Sequence, residues 1–269
     1  MVDLKDLLAD LADESDQLDA LVSELPTTDW ARPTPAPGWS IGHQVAHLAW
    51  TDHVALLAAT DATAFYASVT AAPDPARLVD HGVEQFLAPP VELLARWRTG
   101  RTALATALAA VPTGEKLPWY GTRMSATSMA TARIMETWAH GEDVADALGV
   151  VRPATDRLRH VAHLGVRTLG HGFAAHGRPA PTAPVRVELT GPGGDTWSWG
   201  PAEAADRLTG PARDFCLLVT QRRHRADLAL LASGPVADEW LDVAQAFAGP
   251  PGAGREPAAA TAGGDGARA

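Results

Sequence analysis

The sequence predicts a mainly α-helical protein, a four-helix bundle followed by a small α+β C-terminal domain. Three observations predict it. Through the first 150 residues apolar positions recur at spacings of three and four, the period that buries one face of a helix. The composition is rich in Ala and Leu and only 6% aromatic, which favours helix over strand. Beyond about residue 180 the pattern changes, and alternating residues flank a Gly-rich turn.

The first helix is expected over residues 3–25, where Leu4, Leu7, Leu8, Leu11, Leu18 and Leu21 recur among acidic residues. A breaker-rich loop follows, Arg32-Pro33-Thr34-Pro35-Ala36-Pro37-Gly38. Ser40 is placed to cap a second helix running to about Ala59, because its hydroxyl can accept an orphan backbone N–H. A third starts after Pro89-Pro90 and runs through Leu104 and Leu108 towards Val111. The fourth begins near Ser125 and stops at Gly149. Helices of this length joined by loops suggest a bundle.

A further helix is expected from Thr155 to about Ala175, and the Pro-rich residues 179–184 read as a linker. Val185 to Leu189 alternates at period two, Gly191-Pro192-Gly193-Gly194-Asp195 turns, and Thr196-Trp197-Ser198-Trp199 returns as a second strand. Helical patterns resume from about Ala202, with a Gly-Pro break at 234–235. The expected division is a four-helix bundle over 1–150, a helix with a small α+β domain over 151–249, and a disordered Gly/Ala/Pro tail over 250–269.

Bulk properties exclude several classes. The 269 residues are 46% hydrophobic and 20% charged, with a formal net charge of −10, whereas a phosphate-binding surface needs a concentrated basic face. The nearest candidate, Arg222-Arg223-His224-Arg225, is short, is followed by Asp227, and reads as a solvated helix end. No nucleic-acid partner is expected. The one cysteine, Cys216, lies in the apolar run Phe215 to Val219 and reads as a buried structural thiol in a reducing compartment. The N-terminus lacks the pattern of a signal peptide, and no apolar run approaches the roughly 20 residues that cross a bilayer. A cytoplasmic protein with no membrane partner, monomeric or homodimeric, is the expectation.

The chemistry sits on two helices. On the second, residues 43, 47, 50, 54 and 57 share one stripe that reads His, His, Trp, Val, Leu. On the fourth, Met129, Ala132, Glu136, His140, Val144 and Ala147 form the inward stripe. A buried Glu136 without a partner would cost several kcal/mol, roughly, or take up a proton. Glu136 and His140, one turn apart, project to one side as a chelating pair must. If the two helices face each other, His47 supplies a third donor, and two nitrogens with one oxygen suit a divalent ion with a position left open. Spacing alone leaves ordinary readings available: a hydrogen-bonded core histidine, or a surface Glu-His pair. His43 with His47, His160 with His163, and His171 with His176 are competing sets, the latter two outside the bundle.

The run Pro37-Gly38-Trp39-Ser40-Ile41-Gly42-His43-Gln44-Val45-Ala46-His47-Leu48 resembles the Pro-Gly-Trp-Ser/Thr signature, ending in His-Leu, of the DinB-like superfamily. It looks closest to the mycothiol-dependent maleylpyruvate isomerase-like branch of actinobacteria, in an uncharacterised metal-binding subgroup. Glu136-Thr137-Trp138-Ala139-His140-Gly141-Glu142-Asp143 resembles that branch's second motif, Glu-x-x-x-His-x-x-Asp. The resemblance implies a DinB-like bundle, a C-terminal domain of sterol-carrier-like character, and metal ligands at His47, Glu136 and His140. It also implies mycothiol as a thiol cosubstrate.

The function expected is a thiol-dependent metalloenzyme, an isomerase or S-transferase acting on a small electrophile through a metal-activated thiolate. The ion expected is zinc, with nickel or iron as alternatives. Two other readings share the site: a hydrolase using metal-activated water with Glu142 or Asp143 as base, and a non-catalytic metal- or small-molecule-binding protein. His43 is a candidate general base or support for the ligands. The resemblance implies an arginine from the C-terminal domain for an anionic substrate, for which Arg222 and Arg213 are the candidates.

Overall fold

A computed structural model of the chain describes residues 3–70, 74 and 77–258. The chain divides into two compact units, Met1–Arg152 and Pro153–Ala269.

The first unit is built on four long helices: α1 (Leu4–Val22), α2 (Ile41–Thr60), α5 (Pro90–Ala110) and α6 (Ala126–Leu148). Each boundary has a local cause. The Asp3 carboxylate accepts the Lys5 N–H at 3.0 Å to cap α1. Pro90 starts α5 at a position where a missing N–H costs nothing. Ser125 accepts the Ser128 N–H at 3.1 Å to open α6, and Gly149 closes it at φ +69°, a conformation that favours glycine.

α2 is buried on nearly every side, packing against both α5 and α6, while α1 lies along α6. Leu18, Ile41, Val45, Leu48, Leu93, Trp97 and Val144 meet in the core between them. Two shorter helices, α3 (Ala62–Thr70) and α4 (Leu78–Phe86), and a small hairpin, β1 (Leu117–Trp119) with β2 (Thr122–Met124), pack beside the end of α2. Phe65 stacks on Trp119 there, with ring centroids 6.0 Å apart. None of these short elements follows from the sequence pattern.

Buried charge ties the bundle together. Arg133 of α6 donates to Asp52 of α2 at 2.9 Å, and the Trp97 indole of α5 donates to the other Asp52 oxygen at 3.2 Å. Arg152 is 4% exposed. Its guanidinium reaches Glu14 and Gln17 of α1 and the Trp138 carbonyl and Glu142 of α6.

In the second unit the helix expected over 155–175 is two helices, α7 (Leu158–Arg167) and α8 (Leu169–Ala175), separated at Thr168. The expected hairpin is β3 (Val185–Thr190) with β4 (Thr196–Trp199), in the register Val187↔Trp199 to Thr190↔Thr196. The segment after Ala202 departs from the helical expectation. Residues Asp206–Pro211 form a strand, β5, parallel to β3, and helix α9 (Ala212–Val219) begins only after Pro211. A strand β6 (Leu231–Ser233) and helix α10 (Pro235–Val243) complete the unit, with strand order β4-β3-β5-β6. Val187, Leu189, Trp197 and Leu208 are buried on the sheet, and Phe215 of α9 meets Trp240 of α10 edge-on at 5.5 Å. Cys216 is fully buried, its thiol directed at the Leu158 carbonyl.

Of the tail expected to be disordered, 259–269 lie outside the described residues. Residues 250–257 carry no helix or strand, and the Ala258 N–H donates to the Asp227 carboxylate. Among the described residues no helix is long and apolar enough to cross a membrane.

Candidate metal centre

The Pro37-Gly38-Trp39 segment is a tight turn that aims a side chain. The Trp39 N–H returns to the Ala36 carbonyl at 3.0 Å. Pro37 and Gly38 take the two central places, with Gly38 at φ +79°, the conformation that a type II turn requires at its third residue. The loop closes on itself as Thr34 N–H donates to the Trp39 carbonyl at 2.8 Å and Pro33 bridges Ser40. Trp39 thereby lies over both site imidazoles, with centroids 5.4 Å from His47 and 6.0 Å from His140, stacked on the latter at 20°. Trp50 closes the far side of His47 at 5.9 Å.

Packing of α2 on α6 brings His47, Glu136 and His140 together, which meets the condition on which the third donor depends. Glu136 Oε2 lies 3.4 Å from His47 Nε2 and 3.3 Å from His140 Nε2. Among the described residues this is the group whose donor atoms all lie within 4.8 Å of one another. A tetrahedral ion with bonds of about 2.0–2.1 Å would hold its donors about 3.3–3.4 Å apart, and Glu136 Oε2 stands at that spacing from each imidazole nitrogen. Both imidazoles are buried, while the Glu136 side chain keeps 22% of its exposure. Burial alone would raise the Glu136 carboxyl, but His140 and His47, in the protonated form that can donate to it, outweigh burial and hold the group well below the usual carboxylate range.

The imidazoles have different neighbours. His140 Nδ1 lies 2.5 Å from Gln44 Oε1, whereas the buried His47 Nδ1 has no hydrogen-bond partner among the described residues. Gln44 is completely buried. The sequence offers only a weak signal for it, one amide three residues before His47 on a helix buried nearly all round.

The other candidates fall elsewhere. His43 caps α2: its Nδ1 faces the Ser40 hydroxyl at 2.7 Å and accepts the Ser40 N–H at 3.2 Å, whereas the side chain that meets His140 is Gln44. Glu142 is paired with Arg152, and Asp143 is completely buried, so neither is presented as a base. Gly141, between His140 and Glu142, makes room for that pair, since a Cβ there would lie 2.6 Å from Arg152 Nη1. Arg213 and Arg222 belong to the second unit. Arg213 lines an apolar cavity of about 410 Å³ with Leu158, Pro192 and Pro211, and Arg222 donates to the Thr220 carbonyl at 2.6 Å.

Comparison with known proteins agrees with this architecture. The model of the mycothiol maleylpyruvate isomerase N-terminal domain matches residues 11–145, and one described as wyosine base formation matches residues 181–233. The uncharacterized Mycobacterium tuberculosis proteins MT0041 and Rv0036c are each 58% identical over 257 residues, covering 95% of this chain and all of the relative. A crystal structure of the mycothiol-dependent maleylpyruvate isomerase superposes with TM-score 0.58 at 14% identity, over 88% of this chain and 96% of that one. A mutant of the same enzyme gives TM-score 0.59 at 13% identity. At that identity the likeness is one of fold, and the family assignment rests on the bundle carrying both motifs: the chain belongs to the mycothiol-dependent maleylpyruvate isomerase-like branch of the DinB-like proteins.

Proposed function

We propose that this chain is a thiol-dependent metalloenzyme of the mycothiol type, an isomerase or S-transferase acting on a small electrophile. His47, Glu136 and His140 would hold one divalent ion, zinc in the first instance, with mycothiol as cosubstrate. The observation that carries the reading is the convergence of two imidazole nitrogens on one Glu136 oxygen, at 3.3 and 3.4 Å, in a pocket walled by tryptophans. Family membership supports the choice of thiol.

Each residue has a definite part. Glu136 contributes the negative charge, so three protein donors of total charge −1 leave a bound divalent ion electrophilic. The two imidazoles bind as neutral donors. Trp39 and Trp50 shield them from water, which strengthens electrostatics within the site. A divalent ion here supplies a Lewis acid that favours the ionised form of a thiol or water at its remaining position. A nucleophilic thiol could add to a cis double bond and leave after rotation, as an isomerase requires, or remain attached, as in a transferase. The hydrolytic reading gains nothing from Glu142 or Asp143, which are buried, Glu142 against Arg152.

The test is incubation of zinc-loaded protein with mycothiol and a panel of electrophiles that includes maleylpyruvate, followed by mass spectrometry. Thiol conjugates indicate a transferase, and thiol-dependent isomerisation without conjugates an isomerase. No thiol-dependent change across the panel, with the ion in place, overturns the proposal.

A further inference from the structure

We infer that Gln44 is a positioning residue that fixes His140 as an Nε2 ligand, with Thr34 setting the direction of the hydrogen bonds. The inference rests on the metal reading above and adds a residue that neither motif singles out.

The argument follows one chain of hydrogen bonds from an end whose polarity is certain. The Trp39 carbonyl can only accept, so the Thr34 hydroxyl, 2.9 Å away, must donate to it. That spends the one hydroxyl proton of Thr34, and its oxygen is left to accept from the Gln44 amide nitrogen at 2.8 Å. The Gln44 amide is thereby held with its NH₂ towards Thr34 and its Oε1 towards His140. A carbonyl oxygen cannot donate, so the proton between Gln44 and His140 belongs to His140 Nδ1. In the neutral ring, Nε2 then carries the lone pair, and it points at Glu136 Oε2, itself an acceptor, 3.3 Å away. Two acceptors face each other across the spacing that a cation between them would require.

The motif turn takes part in this chain, because the Trp39 carbonyl that anchors it belongs to the residue stacked on His140. His47 Nδ1 has no such support among the described residues. The two histidine ligands are therefore unequal: His140 is preorganised, and His47 is held by packing between Trp39 and Trp50. The support is a neutral amide where a carboxylate is common, so it orients the ring without adding negative charge to the site.

The experiment measures zinc dissociation constants by chelator competition for the full chain and for Gln44→Leu, Gln44→Glu and Thr34→Val. Circular dichroism of each ion-free variant checks folding. Gln44→Leu removes the acceptor at similar volume and should weaken zinc by about 10–100-fold. Gln44→Glu keeps an acceptor in place and should hold zinc at least as tightly as the wild type. Thr34→Val frees the amide to turn and should give an intermediate loss. In the zinc-loaded wild type, nitrogen chemical shifts should show His140 protonated at Nδ1 and ligated through Nε2, and Gln44→Leu should lose that pattern. Equal affinity in Gln44→Leu and wild type, or equal losses in the Leu and Glu variants, overturns the inference while leaving the metal reading intact. A wild-type protein that binds no zinc overturns both.

Discussion

Asp52 of α2 and Arg133 of α6 form a buried ion pair, with Nε 2.9 Å from Oδ1, on the same two helices that carry the candidate ligands. Arg133 lies one turn before Glu136, and Asp52 little more than one turn after His47. The pair therefore fixes the register of the two helices next to the point where their donor atoms must meet. Burial pushes the Asp52 carboxyl up, and Arg133 and the Trp97 indole act against that without cancelling it. A charge pair kept here at such a desolvation cost is better explained by the register it sets than by the stability it adds.

Arg133→Met should be strongly destabilising, by about 3–5 kcal/mol, because it strands a carboxylate that is almost completely buried. The double variant Asp52→Leu with Arg133→Met should recover most of that loss yet bind zinc more weakly than the wild type, since stability returns but the register device does not. Urea unfolding of the ion-free proteins, with zinc titration alongside, measures both quantities. A single variant within about 0.5 kcal/mol of wild type would show that the pair is not needed.

Replacing His47 or His140 with Ala should reduce bound divalent ion from about one per chain to near zero on elemental analysis. The same change should abolish stabilisation by zinc, which for a single site amounts to about 2.7 kcal/mol at a hundredfold excess over the dissociation constant. His43→Ala should instead keep its ion and lose about 1 kcal/mol of stability, the usual value of a helix cap. An ion retained in full by both the His47 and His140 variants would eliminate the site.

What the sequence discloses follows the range of the forces involved. The ends of α2 and α6 are legible because Ser40, Ser125 and Gly149 act on backbone groups within a few residues. β5 is not, because its partner β3 lies some twenty residues earlier and its own apolar signal is a single Leu208. Asp206 at its start serves a distant need, accepting the Val236 and Ala237 N–H groups that begin α10. The same distinction runs through the site. His47, Glu136 and His140 stand out as titratable groups on apolar stripes. Gln44 and Asp52 acquire their roles through partners 96 and 81 residues away, and their local pattern marks them weakly at best.

Gly38 offers a test of the motif turn. Among the described residues, apart from its two chain neighbours, no atom lies within 4 Å of a Cβ built there, so at φ +79° an alanine meets backbone strain and no clash. Gly38→Ala should cost about 1–2 kcal/mol and weaken zinc binding, because the turn sets both Trp39 and the carbonyl that anchors the Gln44 chain. Gly38→Asn should be milder in both respects, since asparagine tolerates the left-handed region. Thermal unfolding and zinc affinity should therefore rank Gly above Asn above Ala. An alanine variant equal to wild type in both would detach the turn from the site.

The pH dependence of ion binding should count the groups that compete with it. Zinc requires a carboxylate and two neutral imidazoles, so protons oppose binding and the association constant must fall as pH falls. In the ion-free site, protonated imidazoles donating to Glu136 overcome the effect of burial and hold its carboxyl well below its usual range. Glu136 is accordingly still ionised in mildly acidic solution, so the competing protons are those that imidazole ligands must shed to bind an ion. A plot of the logarithm of the zinc association constant against pH should steepen on the acid side to a slope of about two. Glu136→Gln should lower affinity throughout and leave that limiting slope unchanged. A slope of one would remove a histidine from the ligand set, and a slope of three would mean that Glu136 titrates with the imidazoles and is not held ionised by them.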